Sequence, residues 1–223
     1  KHILLVVPII ALLMLQPHFS ASMVIITIVA VMMILAGCKF WHFLATGGAV
    51  GIPGMIGLII LEPYRLARVT TFLDPWKDAT GAGWQVIQSL YAIGSGGLFG
   101  AGLGESKQKY LYIPEPHNDF IFSVLAEELG FVGCVLVILL FAIFIWRGVL
   151  IAMKSPDMFG SLIAIGITTM VAIQVILNIA VVTSSVPATG MPLPFFSYGG
   201  TALFILLCEM GVLLNISRAS VKS

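Results

Sequence analysis

Charge is scarce in this chain. Only 9% of its 223 residues are Asp, Glu, Lys or Arg, while 59% are hydrophobic. An ordinary globular domain carries about 25% charged residues, so the composition excludes a water-soluble domain of this size. The formal net charge of +1 provides no basic excess for neutralising phosphates, which excludes nucleic acid as a partner. Cysteine is equally sparse. Cys38, Cys134 and Cys208 stand far apart, in or beside apolar stretches, where they read as small hydrophobes. They form neither a disulfide framework nor a metal-ligand spacing. Lys and Arg are missing altogether from the connections 16–19 and 185–197, and that absence bears on orientation.

What the chain has instead is long apolar runs. Six of them, 3–15, 19–38, 40–61, 120–146, 159–184 and 198–216, approach the roughly 20 apolar residues that a membrane-crossing helix needs. The first is short and contains Pro8. The third holds Gly47, Gly48, Gly51, Pro53, Gly54 and Gly57, which predicts a helix that is bent or packed closely on a neighbour. The expected fold is an all-α polytopic membrane protein, with residues 1–223 forming one membrane domain. The chain opens on Lys1-His2, is apolar from Ile3, and reads Gln16-Pro17-His18 where a signal peptide would place its cleavage site. It therefore reads as the C-terminal part of a larger membrane protein. Basic residues fall at Lys39, at Arg147 and Lys154, and at Arg218 and Lys222. The positive-inside rule makes these ends cytoplasmic, puts both termini there, and turns the 62–118 segment outward as a large extracytoplasmic loop.

That loop carries Trp76, Trp84, Tyr91, Phe99, Tyr110 and Tyr112, too many aromatics for a solvated linker. Within 84–93, Val86, Ile87, Leu90 and Ile93 recur at helical spacing, opposite Gln85, Gln88 and Ser89. The pattern predicts a short amphipathic helix lying at the membrane interface. A glycine-rich run follows, Gly94-Ser-Gly-Gly-Leu-Phe-Gly-Ala-Gly-Leu-Gly104. It lacks the Gly-Lys-Ser/Thr ending of a nucleotide-binding loop, and close backbone packing or loop flexibility accounts for it better.

The segment closes on Pro114-Glu115-Pro116-His117-Asn118-Asp119-Phe120, with three titratable groups crowded just before an apolar run. Asp119 can cap the coming helix or act as a general base at the outer face, and on spacing alone the cap is the simpler reading. Glu127, Glu128 and Glu209 are carboxylates expected at membrane depth, where such groups are costly and become functional candidates. Arg65 and Arg68 share a helical face, and with Lys107 and Lys109 they suit either lipid headgroups or a diphosphate. Gln174 and Asn178, four residues apart inside a span, read as interhelical glue. Three prolines, Pro187, Pro192 and Pro194, keep 187–200 out of regular helix, and such backbone near membrane depth lines a cavity or lies within protein.

The run Pro187-Ala-Thr-Gly-Met-Pro-Leu-Pro-Phe-Phe-Ser-Tyr-Gly-Gly200 resembles the C-terminal signature of the SEDS proteins (shape, elongation, division, sporulation), whose members include FtsW, RodA and SpoVE. Asp74-Pro-Trp-Lys-Asp78, the stretch from Gln88-Ser89 through the glycine run, Pro114–Asp119 with Phe120-Ile121-Phe122, and Glu127-Glu-Leu-Gly130 resemble that family in its order. Trp76 and the Gln108-Lys109 pair bring the chain nearer the division and sporulation branch. The resemblance implies ten spans, of which these would be the last six. It also implies a peptidoglycan glycosyltransferase that polymerises lipid II, an undecaprenyl-diphosphate-linked disaccharide. The family's catalytic aspartate carries over to Asp119, in its His-x-Asp-Phe motif. Substrate contacts are expected from the cations Arg68 and Lys109, from Glu115 and His117, and from Gln88, Thr189 and Ser197. The resemblance implies no required cofactor, although a divalent ion could share the diphosphate charge. A class B penicillin-binding protein and other divisome or elongasome proteins are the implied partners, in the bacterial plasma membrane. Where the family has Gln-Pro-Asp-Leu-Gly, this chain has Gln16-Pro17-His18-Phe19-Ser20, with an imidazole in place of the acid. A lipid II flippase and a scaffold for a transpeptidase are the alternatives.

Overall fold

A computed structural model describes residues 8–10, 12–13, 19–39, 41, 68, 70–81, 83–107 and 118–221. Within them the ordered elements are helices: α1 (Phe19–Leu35), a 3-10 turn at Pro75–Asp78, α2 (Trp84–Gly96), α3 (Ile121–Met153), α4 (Met158–Val182) and α5 (Gly200–Val221). Helices α3, α4 and α5 are long and apolar enough to cross a membrane, and α1 is a shorter apolar helix. They correspond to four of the six apolar runs. All of 40–61 but Trp41, and most of 3–15, lie outside the described residues.

The run 120–146 falls in one candidate span, but that helix is kinked rather than continuous. Gly130, at φ 67° and ψ −169°, interrupts α3. That conformation is essentially confined to glycine, and an apolar window does not register it. The segment before the break is sunk in protein, with Phe122 through Glu127 all buried. The segment after it, 131–153, is about 34 Å long at about 1.5 Å per residue, enough for a bilayer core. It exposes Phe131, Leu136, Leu139, Leu140, Ile143 and Trp146.

A helix break strands carbonyls on one side and N–H groups on the other. Here the glycine-rich run pairs with them. Ala101 N donates to Glu127 O at 2.9 Å and Gly102 N to Glu128 O at 3.1 Å, while Phe131 N donates to Gly97 O at 2.9 Å and Val132 N to Leu98 O at 3.1 Å. A β-carbon at Gly96 would collide with Ala126 O, one at Gly100 with Glu128 O, and one at Gly130 with Gly100 N. The run is a backbone clasp, which settles the choice between packing and flexibility.

Helix α2 covers the predicted 84–93, but its polar face is not where the spacing puts it. Gln88 and Ser89 are buried, at 6% and 0% exposure, beside Val86, Ile87 and Ala92. Protein covers this face. Ser89 Oγ donates to Val182 O at 2.8 Å, so the 2.6 Å bond between Ser89 Oγ and Ser123 Oγ is donated by Ser123. Two hydroxyls thus stitch α2 to the start of α3 and the end of α4.

Helix α4 begins at a side-chain cap, with Gly160 N donating to Asp157 Oδ2 at 2.7 Å. It packs on α3 through small residues, where a β-carbon at Gly148 would strike Thr168. Phe122, Leu125, Val137, Phe141, Val171 and Val175 form the core. On its other flank Gly166 admits Met32 of α1. The chain path therefore gathers Phe120, Val182 and Gly200 at one end of the bundle and Lys154, Asp157 and Arg218 at the other.

Candidate active site

Between α4 and α5 the chain forms an irregular strap, residues 183–199. Its lower part is anchored in the core. Leu193 is 1% exposed, Phe195 meets Phe144 edge-on at 6.1 Å, and Phe196 lies 6.1 Å from Phe141. Holding these contacts puts Phe195 at φ 67°, a left-handed backbone costly for a residue with a side chain.

Its upper part collects polar groups from distant segments. The Asp119 carboxylate lies against Gly190, where a β-carbon would stand 3.3 Å from Oδ2. Arg68 NH1 donates to the carbonyl of Ala188 at 2.9 Å. Asn178 Nδ2 donates both to Asp119 O and to Met191 O, each at 2.8 Å. Ser197 Oγ accepts from Leu193 N at 2.7 Å and donates to Asn118 O at 2.6 Å. The Thr189 hydroxyl is buried with no hydrogen-bond partner among the described residues.

Of the residues that the sequence points to, Arg68, Asp119, Thr189 and Ser197 converge on this strap. Gln88 is buried on α2. Lys109, Glu115, His117 and His18 lie outside the described residues. Asp119 precedes α3, whose N-cap is Phe120 and whose start carries no side-chain cap bond. Asn178, read from spacing as glue between helices, instead joins two irregular segments. Only its polarity within an apolar helix marks it in the sequence.

The other carboxylates separate. Glu127, 4% exposed, accepts from Ser106 Oγ at 2.5 Å and from Lys107 N at 3.1 Å. It ties down the loop leaving the glycine clasp. Glu209 lines a cavity of about 160 Å³ beneath the strap with Gln174, Ser197 and Phe195, and its Oε2 is buried without a partner among the described residues.

Comparison with known proteins matches residues 1–222 to the FtsW/RodA/SpoVE family, described as cell cycle proteins. The chain is 51% identical over 209 residues to stage V sporulation protein E of Bacillus subtilis, covering 94% of this chain and 57% of that protein. It is 46% identical over 208 residues to a probable peptidoglycan glycosyltransferase FtsW of Geobacter sp. strain M18, covering 93% and 56%. In structure it is similar to a chain of a peptidoglycan synthase complex, with a TM-score of 0.78 and 33% identity over 99% of this chain and 61% of that one. It is similar also to the rod shape determining protein RodA of Thermus thermophilus, with a TM-score of 0.62 and 30% identity, covering 96% and 54%. The chain thus spans little more than half the length of these relatives.

Proposed function

This chain belongs to the FtsW/RodA/SpoVE family of cell cycle proteins, and from that premise we propose that the complete protein polymerises lipid II into glycan strands of peptidoglycan, with Asp119 as its general base. One observation carries the reading. A carboxylate and a guanidinium from distant parts of the chain meet strap residues two apart, Asp119 at Gly190 and Arg68 at Ala188.

In the reaction, an acceptor sugar hydroxyl attacks the anomeric carbon of the donor. The new C–O bond forms as the bond to the undecaprenyl diphosphate breaks. The hydroxyl is a poor nucleophile at neutral pH, and a carboxylate in hydrogen-bond reach accepts its proton during attack. Asp119 takes that proton on the face opposite the leaving group, as in single-displacement inversion at a sugar carbon. Negative charge builds on the departing diphosphate, and fixed cations stabilise it. Arg68 and Lys109 supply them, and a divalent ion is not required. The Thr189 hydroxyl, buried between the two strap contacts, is available to a substrate oxygen. Glu115 and His117 complete the sugar-binding wall, and Gln88, buried on α2, is withdrawn from it.

The membrane is the bacterial plasma membrane, both termini are cytoplasmic, and the 62–118 segment with the strap faces outward. The domain is a single membrane unit over 1–223, and its partner is a class B penicillin-binding protein that crosslinks the emerging strand. The alternative, a lipid II flippase, would use the same groove and cations, with Glu127, Glu128 and Glu209 as a proton path, and of these Glu209 lines a cavity of about 160 Å³ beneath the strap. Glu127 is engaged with the Ser106 hydroxyl and the Lys107 amide, which favours a structural role for that carboxylate. The test is the product made from lipid II in vesicles by the complete protein with its transpeptidase partner. Linked disaccharide chains support polymerisation, and unchanged lipid II on the opposite leaflet overturns it.

A further inference from the structure

We propose that Asn178 is the positioning residue for Asp119: its carboxamide brackets the aspartate turn to the strap and so holds the base in register with the diphosphate-binding edge. The inference rests on the glycosyltransferase reading for its activity arm, and on geometry alone for the rest.

Asn178 sits near the end of α4 at 1% exposure. A carboxamide has two N–H donors fixed in one plane. Both are committed, one to Asp119 O and one to Met191 O, at 2.8 Å each. The two acceptors belong to segments that are remote in sequence and irregular in backbone, so neither has a helix ladder to fix it. One rigid group bonded to both removes their freedom to slide past each other. The opposite atom, Oδ1, is buried with no partner among the described residues. An asparagine present for packing alone gains nothing from a stranded acceptor, since a hydrophobe of similar size would fill the space without that desolvation cost. What it gains here is the pair of donations.

Ser197 makes a second, parallel tie. Its hydroxyl takes Leu193 N from the strap and gives its hydrogen to Asn118 O, one residue before the carbonyl that Asn178 holds. Two consecutive carbonyls of the turn are thus held by side chains that also hold the strap. The Asp119 carboxylate leaves this fixed turn toward Gly190. Misplacing a reacting group by about 1 Å costs about 100-fold in rate, so a bracket of this kind acts on turnover more than on substrate binding.

The experiment uses the complete protein with Cys38, Cys134 and Cys208 replaced by serine. Asn178→Asp keeps the size but replaces both donors by an acceptor. It is expected to lower kcat for lipid II polymerisation at least 100-fold while KM stays within about threefold. A second arm needs no activity. Cysteines at Asp119→Cys and Gly190→Cys, joined by a short bifunctional thiol reagent, report the turn-to-strap distance. A disulfide between Ser89→Cys and Ser123→Cys, whose hydroxyls lie 2.6 Å apart, reports the surrounding fold. Asn178→Asp should slow the 119–190 cross-link about tenfold and leave the 89–123 disulfide unchanged, and Asn178→Leu should do the same. Unaltered kcat in Asn178→Asp overturns the inference. So does loss of both cross-links together, which would make Asn178 a general folding residue. If the wild-type protein forms no glycan at all, the functional reading fails, and the cross-link arm still decides the bracket.

Discussion

The Asp119 carboxylate lies against Gly190, where a β-carbon would stand 3.3 Å from Oδ2. That distance is tight without being a collision, so Gly190→Ala should displace the carboxylate by a few tenths of an ångström. Polymerisation is expected to fall about 3- to 10-fold, and Gly190→Val at least 100-fold, given how steeply rate depends on placement. Lipid II binding and melting temperature in detergent should change little in either variant, which steady-state kinetics and a thermal melt check.

The Gly100–Gly130 contact is backbone against backbone, and neither side can yield. Gly130→Ala adds a β-carbon in a conformation that costs about 1–3 kcal/mol for any other residue, and drives it into Gly100 N. The expected loss of stability is at least about 3 kcal/mol, read as a lowered melting midpoint and poor yield. Ala101→Gly, at the same clasp but exposed, should stay within about 1 kcal/mol of the parent.

Removing the Glu127 carboxylate takes an acceptor from the buried Ser106 hydroxyl and from the Lys107 amide. Glu127→Ala should cost about 2–4 kcal/mol and raise hydrogen exchange and protease cleavage around Lys107. Glu127→Gln retains an acceptor and should keep most polymerising activity. A proton-path role for Glu127 predicts the reverse, with Gln as damaging as Ala.

Arg68 presents a planar fork that Lys cannot copy. Arg68→Lys should raise KM for lipid II several-fold, and Arg68→Ala about 10-fold or more with a fall in kcat. The check is a concentration series at two salt levels. The wild-type KM should rise with salt, and the Arg68→Ala KM should rise less.

The apolar runs made most of the membrane helices legible, because hydropathy over about 20 residues is a strong signal. The break at Gly130 was not legible, since a single positive φ leaves no mark on an apolar window. The buried face of α2 was misread for a related reason. Gln88 and Ser89 look solvent-facing by type, yet Ser89 is satisfied by Val182 and Ser123, partners that only tertiary structure brings near. For the site, the motifs pointed to Asp119, Thr189 and Ser197, and the set of outer cations to Arg68. The strap that unites them is marked by its three prolines, which forbid helix without specifying a path. Asn178 stood out only as an amide in an apolar helix, and its two acceptors lie on segments 59 and 13 residues away. Sequence periodicity has no means of expressing such a pairing.

The most direct measurement is lipid II polymerisation by the complete protein with Asp119→Asn, alongside binding of lipid II and a melting curve. Asparagine keeps the size of the side chain against Gly190 and cannot accept the proton. Glycan strand formation is predicted to fall below detection while binding and melting match the parent. Strand formation at the parental rate in the Asn variant would contradict the assignment of Asp119 as the base.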